Sequence, residues 1–292
     1  MKVVFSLLRV KEWVKNLFIF LPTFFSFQLH LFYTDMNLYL IFMYMSFAAS
    51  SIYIYNDYRD VEKDRNHHTK KHRPIAAGKV SPSLALGVSL ILAVIAIAGA
   101  FSIRAVAGWL IVLYIVQNIL YSYKLKDIAI VDITIISIGF LIRIFLGGVV
   151  TGILISKWLV LMVFLMSLVL ALGKRRDDLL LMESGGGSGS LRNSLSGYNV
   201  EFINNSIILL SVITLMSYLL YTVSPDVISR VHSDLLYLTV IPVLVGFLRY
   251  LQLVLVFKNS GSPTQILLKD LFIQITVVAW IAIYCIIVYI FK

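Results

Sequence analysis

One short segment places four polar side chains at a spacing suited to cation and phosphate chemistry: Asn56-Asp-Tyr-Arg-Asp-Val-Glu-Lys-Asp64. If a helix runs through it, Asp57, Asp60 and Asp64 fall at i, i+3 and i+7 and stack three carboxylates on one face. Like charges held so close repel, so something must offset them. A hard divalent cation bound through carboxylate oxygens is the natural partner. Magnesium shares its shell with water and phosphate, so such a cluster could position a diphosphate. A solvated helix end, with the aspartates paired to Arg59, Lys63 and Arg65, explains one aspartate better than three beside Asn56.

A basic turn follows, His67-His-Thr-Lys-Lys-His-Arg-Pro-Ile-Ala-Ala-Gly78. Lys70 and Arg73 could neutralise a phosphate brought in by the aspartates. The segment could equally be drawn to anionic lipid headgroups, at about 1 kcal/mol per charge. Nothing in the spacing chooses between the two, and the histidines lack a metal-ligand spacing. A second constellation runs from Tyr121-Ser-Tyr-Lys-Leu-Lys126-Asp127 to Asp132 and Arg143. Asp132 and Arg143 lie inside an apolar stretch, where a charge costs roughly 2.5–3.5 kcal/mol, so each should face a partner or a watery cavity. A structural Asp–Arg pair would serve Arg143 as well as a substrate would. The run Lys174-Arg-Arg-Asp-Asp178 reads as a membrane anchor, with Lys174 and Arg175 within reach of a cavity mouth. Ser184-Gly-Gly-Gly-Ser-Gly-Ser190 lacks the Lys-Ser/Thr of a phosphate-cradling loop and reads as a flexible linker.

The elements that must hold these residues are membrane helices. The 292 residues are 60% hydrophobic and the mean hydropathy is +0.91, too apolar for a soluble domain. A span needs about 20 apolar residues, and nine stretches qualify: 16–32, 37–55, 82–103, 105–123, 128–151, 156–173, 202–223, 235–257 and 271–291. No small-residue cleavage site follows the first, which predicts an uncleaved span rather than a signal peptide. With a single cysteine, Cys285, an intrachain disulfide is excluded and a thiolate zinc site is not expected.

The net charge of +10 is compatible with nucleic acid, anionic lipid or an anionic substrate, and position decides. Lys2, Arg9, Lys11, Lys15, the 59–79 loop, Lys124, Lys126, Lys174–Arg176, Arg192, Lys258 and Lys269 fall on one side of the nine spans. Only Arg104, Lys157, Arg230 and Lys292 fall on the other. The N-terminus and the loops around 56–81, 124–127 and 174–201 are therefore expected in the cytoplasm, the longer two as a cap, with no nucleic-acid partner. Lipid-facing and subunit-facing surfaces look alike in sequence, so a homo-oligomer stays open.

Together these residues resemble the UbiA-type intramembrane prenyltransferase superfamily, whose Asn-Asp-x-x-Asp-x-x-x-Asp motif is matched by Asn56, Asp57, Asp60 and Asp64. The chain is most similar to the branch of polyprenyl-phosphate phosphoribosyltransferases. Arg9, Trp13, Lys15 and Asn16 match its first motif, and Lys70, Arg73, Pro74 and Gly78 its basic turn. Tyr121, Ser122, Leu125 and Lys126 come next, then Asp132, Gly139-Phe-x-x-Arg143, Gly173–Arg176, Arg192, Tyr198 and Phe247–Tyr250. Lys11 and His68 stand where the branch often has proline. Asp127 and Asp132 depart from the second aspartate motif of many prenyltransferases, which weakens a second magnesium site there.

The resemblance implies an all-α fold: one domain over 1–292, with nine transmembrane helices around a lipid-open central cavity and a cytoplasmic cap, in a bacterial inner membrane. It implies transfer of a phosphoribosyl group from 5-phosphoribosyl diphosphate to a polyprenyl phosphate. Asp57, Asp60 and Asp64 would hold magnesium, and Asp132 would orient the acceptor. Lys15, Asn56, Lys70, Arg73, Tyr121, Lys126, Arg143, Lys174, Arg192 and Tyr198 would bind the substrates. A prenyl diphosphate donor with an aromatic acceptor needs the same first motif and is the main alternative. An anion transporter fits less well, because its polar groups would lie near the bilayer midplane on interrupted helices. A purely structural protein would not need three stacked aspartates.

Overall fold

Among the described residues of the computed structural model, eight helices are long and apolar enough to cross a membrane. The structure describes residues 2–66, 70–183, 193–257 and 269–290, and among them every regular element is helical. A short helix α1 (Lys2–Leu7), a 3-10 helix (Val10–Phe20), α2 (Leu21–Phe25) and α3 (Leu31–Thr34) precede α4 (Met36–Arg59) and α5 (Val61–Arg65). Then come α6 (Pro82–Ile103), α7 (Ala105–Tyr123), α8 (Val131–Thr151), α9 (Lys157–Glu183), α10 (Val200–Thr222), α11 (Pro225–Val231), α12 (Val240–Leu251) and α13 (Leu271–Ile290). The spans are α4, α6 to α10, the Leu235–Val256 stretch containing α12, and α13.

These helices are apolar around most of their circumference, which marks a lipid environment. On α6, Leu90, Ile91 and Val94 lie outward and are 60%, 60% and 65% exposed. In water that row would be costly; against acyl chains it is not. The chain is an integral membrane protein.

The fold divides into two compact units, one of Met1–Ile155 joined by Ser194, the other of Ser156–Ser184 with Leu195–Lys292. In the first unit, α4 packs on α6 through the buried small residues Ala48, Ala49, Ala96 and Ala100. Small side chains let backbones approach closely, which is how helices gain contact in lipid. The 3-10 helix lies on α8, where a Cβ on Gly147 would fall 1.9 Å from the Ile19 carbonyl oxygen. Only glycine permits that approach.

Two expectations differ from the structure. The first expected span, 16–32, is not among the eight long helices. It is a 3-10 helix followed by two short α-helices, with Pro22, which has no amide proton to donate, in α2 and Phe27 in the left-handed region at φ 63°. The sixth expected span ends at Gly173, yet α9 continues to Glu183. Arg175 pairs with Asp178 at 3.1 Å along it, and Leu179–Met182 extend its apolar character, so Lys174–Asp178 lie on a helix rather than in a loop.

Candidate active site

The aspartate segment is built from three pieces of the first unit. Helix α4 presents Ser46, Ser50, Tyr53 and Asp57 at helical intervals along one face, and the 3-10 helix runs antiparallel to it with Asn16, Trp13 and Arg9. Asn16 donates to Ser46 Oγ at 2.9 Å and Trp13 Nε1 to Ser50 Oγ at 3.0 Å. Arg9 donates through Nη2 to Asp57 Oδ1 and lies 5.0 Å over the Tyr53 ring. Arg9 itself holds a left-handed backbone, φ 49°, a conformation unfavourable for a side-chain-bearing residue. It turns the chain from α1 into the 3-10 helix.

The third piece is the turn 73–80. Lys79 N–H reaches Pro74 O at 2.9 Å and Gly78 N–H reaches Ile75 O at 3.0 Å, with Gly78 at φ 69°. This is the bonding of a Schellman motif, which favours glycine at that position. Ile75, 1% exposed, anchors the turn among Leu7, Ile54 and Ala85, and so Arg73 faces the aspartates. Its Nη1 donates to Asp57 Oδ1 at 3.0 Å and to Asp64 Oδ2 at 2.6 Å. Sequence spacing left the direction of this arginine open; the hydrophobic anchor two residues on decides it.

The three aspartates are not equivalent. Helix α4 ends at Arg59, and Asp60, at φ −96° and ψ 11°, separates it from α5. Asp57 and Asp64 are buried and converge on one guanidinium nitrogen. Asp60 is half-exposed and faces Lys126 Nζ at 3.9 Å. Asn56 accepts from Ser122 Oγ at 2.5 Å, which ties the motif to α7. Asp132, fully buried at the start of α8, accepts from Ser194 Oγ at 3.3 Å. Lys70 is exposed and Tyr121 half-buried. Arg192 lies outside the described residues.

Deeper along α8, Arg143 is 5% exposed. It donates to Asn16 Oδ1 at 2.8 Å, Gly139 O at 2.7 Å and Tyr114 Oη at 3.3 Å. No carboxylate pairs with it among the described residues, so the Asp–Arg pair that was open from sequence is not formed. Lys15 bonds Glu12 at 2.5 Å.

In the second unit, Lys174 is exposed and Tyr198 is buried and stacked on Phe202. Arg175 and Arg176 are 1% and 3% exposed, against the expectation of a membrane-surface anchor. Arg176 Nε donates to Asn204 at 2.7 Å, while its buried Nη1 has no partner among the described residues. Arg9 meets Asp57 in the first unit and Arg176 is buried in the second, and neither is singled out from sequence as a site residue. Both belong to recognisable motifs, and only their packing marks them.

Among the described residues, no three acidic or histidine side chains gather into a metal cage. The oxygens of Asp57 and Asp64 nonetheless converge on one point, where a cationic nitrogen already sits. Hard carboxylate donors there fit magnesium in its usual manner, with most of its shell supplied by water and phosphate.

Residues 17–181 match the UbiA prenyltransferase family. The chain belongs to that family. Its UbiA-family relatives include decaprenyl-phosphate phosphoribosyltransferase of Mycobacterium tuberculosis, 36% identical over 82% of this chain and 78% of the relative. The enzyme of that name from Corynebacterium glutamicum is 32% identical over 96% and 84%. Among solved structures, a UbiA homolog from Archaeoglobus fulgidus bound to DMAPP and Mg2+ superposes with a TM-score of 0.73 over 98% of both chains at 16% identity. The same homolog bound to GPP and Mg2+ gives 0.71 over 98% of this chain and 99% of the other. At that identity the likeness concerns the fold.

Proposed function

We propose that this chain transfers a 5-phosphoribosyl group from 5-phosphoribosyl diphosphate to a polyprenyl phosphate and releases diphosphate. The observation that carries the reading is the 32–36% identity, across most of both chains, to enzymes named decaprenyl-phosphate phosphoribosyltransferase. In the reaction the ribose C1–O bond to the diphosphate breaks, and a phosphate oxygen of the lipid bonds to C1. The attacking phosphate is already ionised near neutral pH, so no strong base is needed, and Asp132 orients the acceptor rather than deprotonating it.

Asp57, Asp60 and Asp64 would hold magnesium, which when bound neutralises charge building on the departing diphosphate. Arg73 and Arg9 lie against the buried carboxylates in the absence of substrate. Lys126, set against Asp60, supplies a cation at the rim of the same cluster, and Asn56, fixed by Ser122, orients its neighbours. Lys70 and Arg192 would meet the donor as it arrives. The basic segments 56–81, 124–127 and 174–201 are assigned to the cytoplasmic face of an inner membrane, where the water-soluble donor enters and the lipid acceptor arrives laterally.

The test is incubation of purified protein in detergent with magnesium, labelled 5-phosphoribosyl diphosphate and a polyprenyl phosphate, with Asp57→Ala and Asp60→Ala alongside. The expected result is label in the organic phase with wild type and its loss in both variants. A folded wild type that instead transfers geranyl from geranyl diphosphate to an aromatic acceptor overturns the reading.

A further inference from the structure

Among the described residues no carboxylate pairs with Arg143, whose bonds go to Asn16, Gly139 and Tyr114, well below the aspartates. Asn16, which accepts from Arg143, is bonded to Ser46, eleven residues before Asp57 on α4, or about 16 Å along the helix axis. The Arg143 side chain runs back toward the start of α8, donating to the Gly139 carbonyl one turn earlier, as long helical side chains do. Its guanidinium lies beside Gln117, which is five residues before Ser122, the partner of Asn56, and so about 8 Å along α7 from the level of the motif. Three of its five N–H groups are used within the chain.

A second donor there is unsatisfied. Gln117 Nε2 is buried and has no hydrogen-bond partner among the described residues. Gly139 lets the two donors crowd one bare stretch of α8: the point a Cβ would occupy is 3.3 Å from Gln117 Nε2 and 3.4 Å from Arg143 Nη1, tighter than ordinary contact. Tyr114 Oη is bonded to Arg143, and Lys15, next to Asn16 in sequence, is already paired with Glu12. A buried donor left without an acceptor costs about 1–3 kcal/mol, and a buried cation without a counter-ion costs more. Both penalties vanish when an anion arrives. A prenyl chain would gain nothing from such a floor.

We infer that Arg143 and Gln117 form a subsite for a phosphate monoester, the 5-phosphate of the ribosyl donor, whose diphosphate is held at the aspartates. This rests on the proposed phosphoribosyl transfer. The reach agrees: about seven bonds separate the α-phosphorus from the 5-phosphorus through the ribose, roughly 8 Å at ordinary bond lengths. The lipid phosphate is the other source of the same chemistry, but a lipid headgroup belongs at the membrane surface, level with the aspartates rather than below them.

Gln117→Leu and Arg143→Lys test it. Gln117→Leu removes a donor that has no partner among the described residues, so the folded protein keeps its thermal stability; Arg143→Lys keeps the charge and loses the fork. Inhibition by ribose 5-phosphate and by magnesium diphosphate is measured in the transfer assay, and ribose 5-phosphate binding is measured directly by calorimetry. Expected is a loss of ribose 5-phosphate affinity of about tenfold or more in each variant, with diphosphate inhibition and the KM for polyprenyl phosphate unchanged. Unaltered ribose 5-phosphate affinity, an equal loss for diphosphate, or a rise confined to the KM for polyprenyl phosphate each overturns the subsite. If wild type binds ribose 5-phosphate through these residues yet transfers no ribosyl group, the subsite stands and the transfer reading falls.

Discussion

Replacing Arg73 with alanine should uncover the tension built into the aspartate motif. In the folded chain Asp57 and Asp64 are each 3% exposed, and one nitrogen of Arg73 lies 3.0 Å and 2.6 Å from their oxygens. Removing one partner of a fully buried ion pair costs about 3–5 kcal/mol, chiefly because a charge is left uncompensated. Two features reduce this: the Arg73 side chain is 28% exposed, and Arg9 remains on Asp57. A loss of about 2–3 kcal/mol is expected. The two carboxylates would then repel each other across the space Arg73 occupied, which is a better magnesium site than the wild type offers. Thermal unfolding of the detergent-solubilised protein, followed by tryptophan fluorescence with and without millimolar magnesium, reads both effects. The variant should melt below wild type in chelator, and magnesium should raise its midpoint by more than it raises that of wild type. Phosphoribosyl transfer should stay low even with magnesium present, because the guanidinium that meets the phosphates is gone. A variant that melts like wild type in chelator, or gains no more than wild type from magnesium, would refute the view that Arg73 stands in for a cation between Asp57 and Asp64.

Gly147→Ala should cost the protein its folded yield, since the new methyl would fall 1.9 Å from the Ile19 backbone oxygen; size-exclusion recovery from membranes measures it, and Gly152→Ala, where nothing lies within 4 Å but φ is +74°, should cost only about 1 kcal/mol. The hydrogen bond from Arg249 holds the Asp270 carboxyl below the ordinary value of 3.8, with burial opposing it and the Ile273 amide assisting. A depressed folded pKa means stability that is present above the unfolded value and lost as the pH falls through the folded one. Melting midpoints of wild type and Asp270→Asn should therefore differ at neutral pH and converge in acid below that value, and a gap that persists there would contradict the pairing.

Much of this protein can be read along the chain, because hydropathy, charge and motif spacing are local properties. The apolar runs locate the eight long helices to within a few residues at most ends, and Asn56, Asp57, Asp60 and Asp64 stand out by type and interval. Directions and partners do not follow from such patterns. The spacing of the basic turn leaves the direction of Arg73 open; it faces the aspartates because Ile75 is drawn into the cluster of Leu7, Ile54 and Ala85 and Gly78 closes the turn. The first apolar run looks like a span by composition, but its packing on α4 and α8 holds it as a 3-10 helix with Arg9 turned onto Asp57. The charged run at Lys174–Asp178 looks like a helix end; the leucines after it carry α9 on, and Arg175 and Arg176 are buried. Arg143 could have met an aspartate and instead meets Asn16, from a segment 127 residues away in sequence. Local sequence sets what a segment can be, whereas which of its faces meets which neighbour is a property of helices packed together, and the candidate site is made of those meetings.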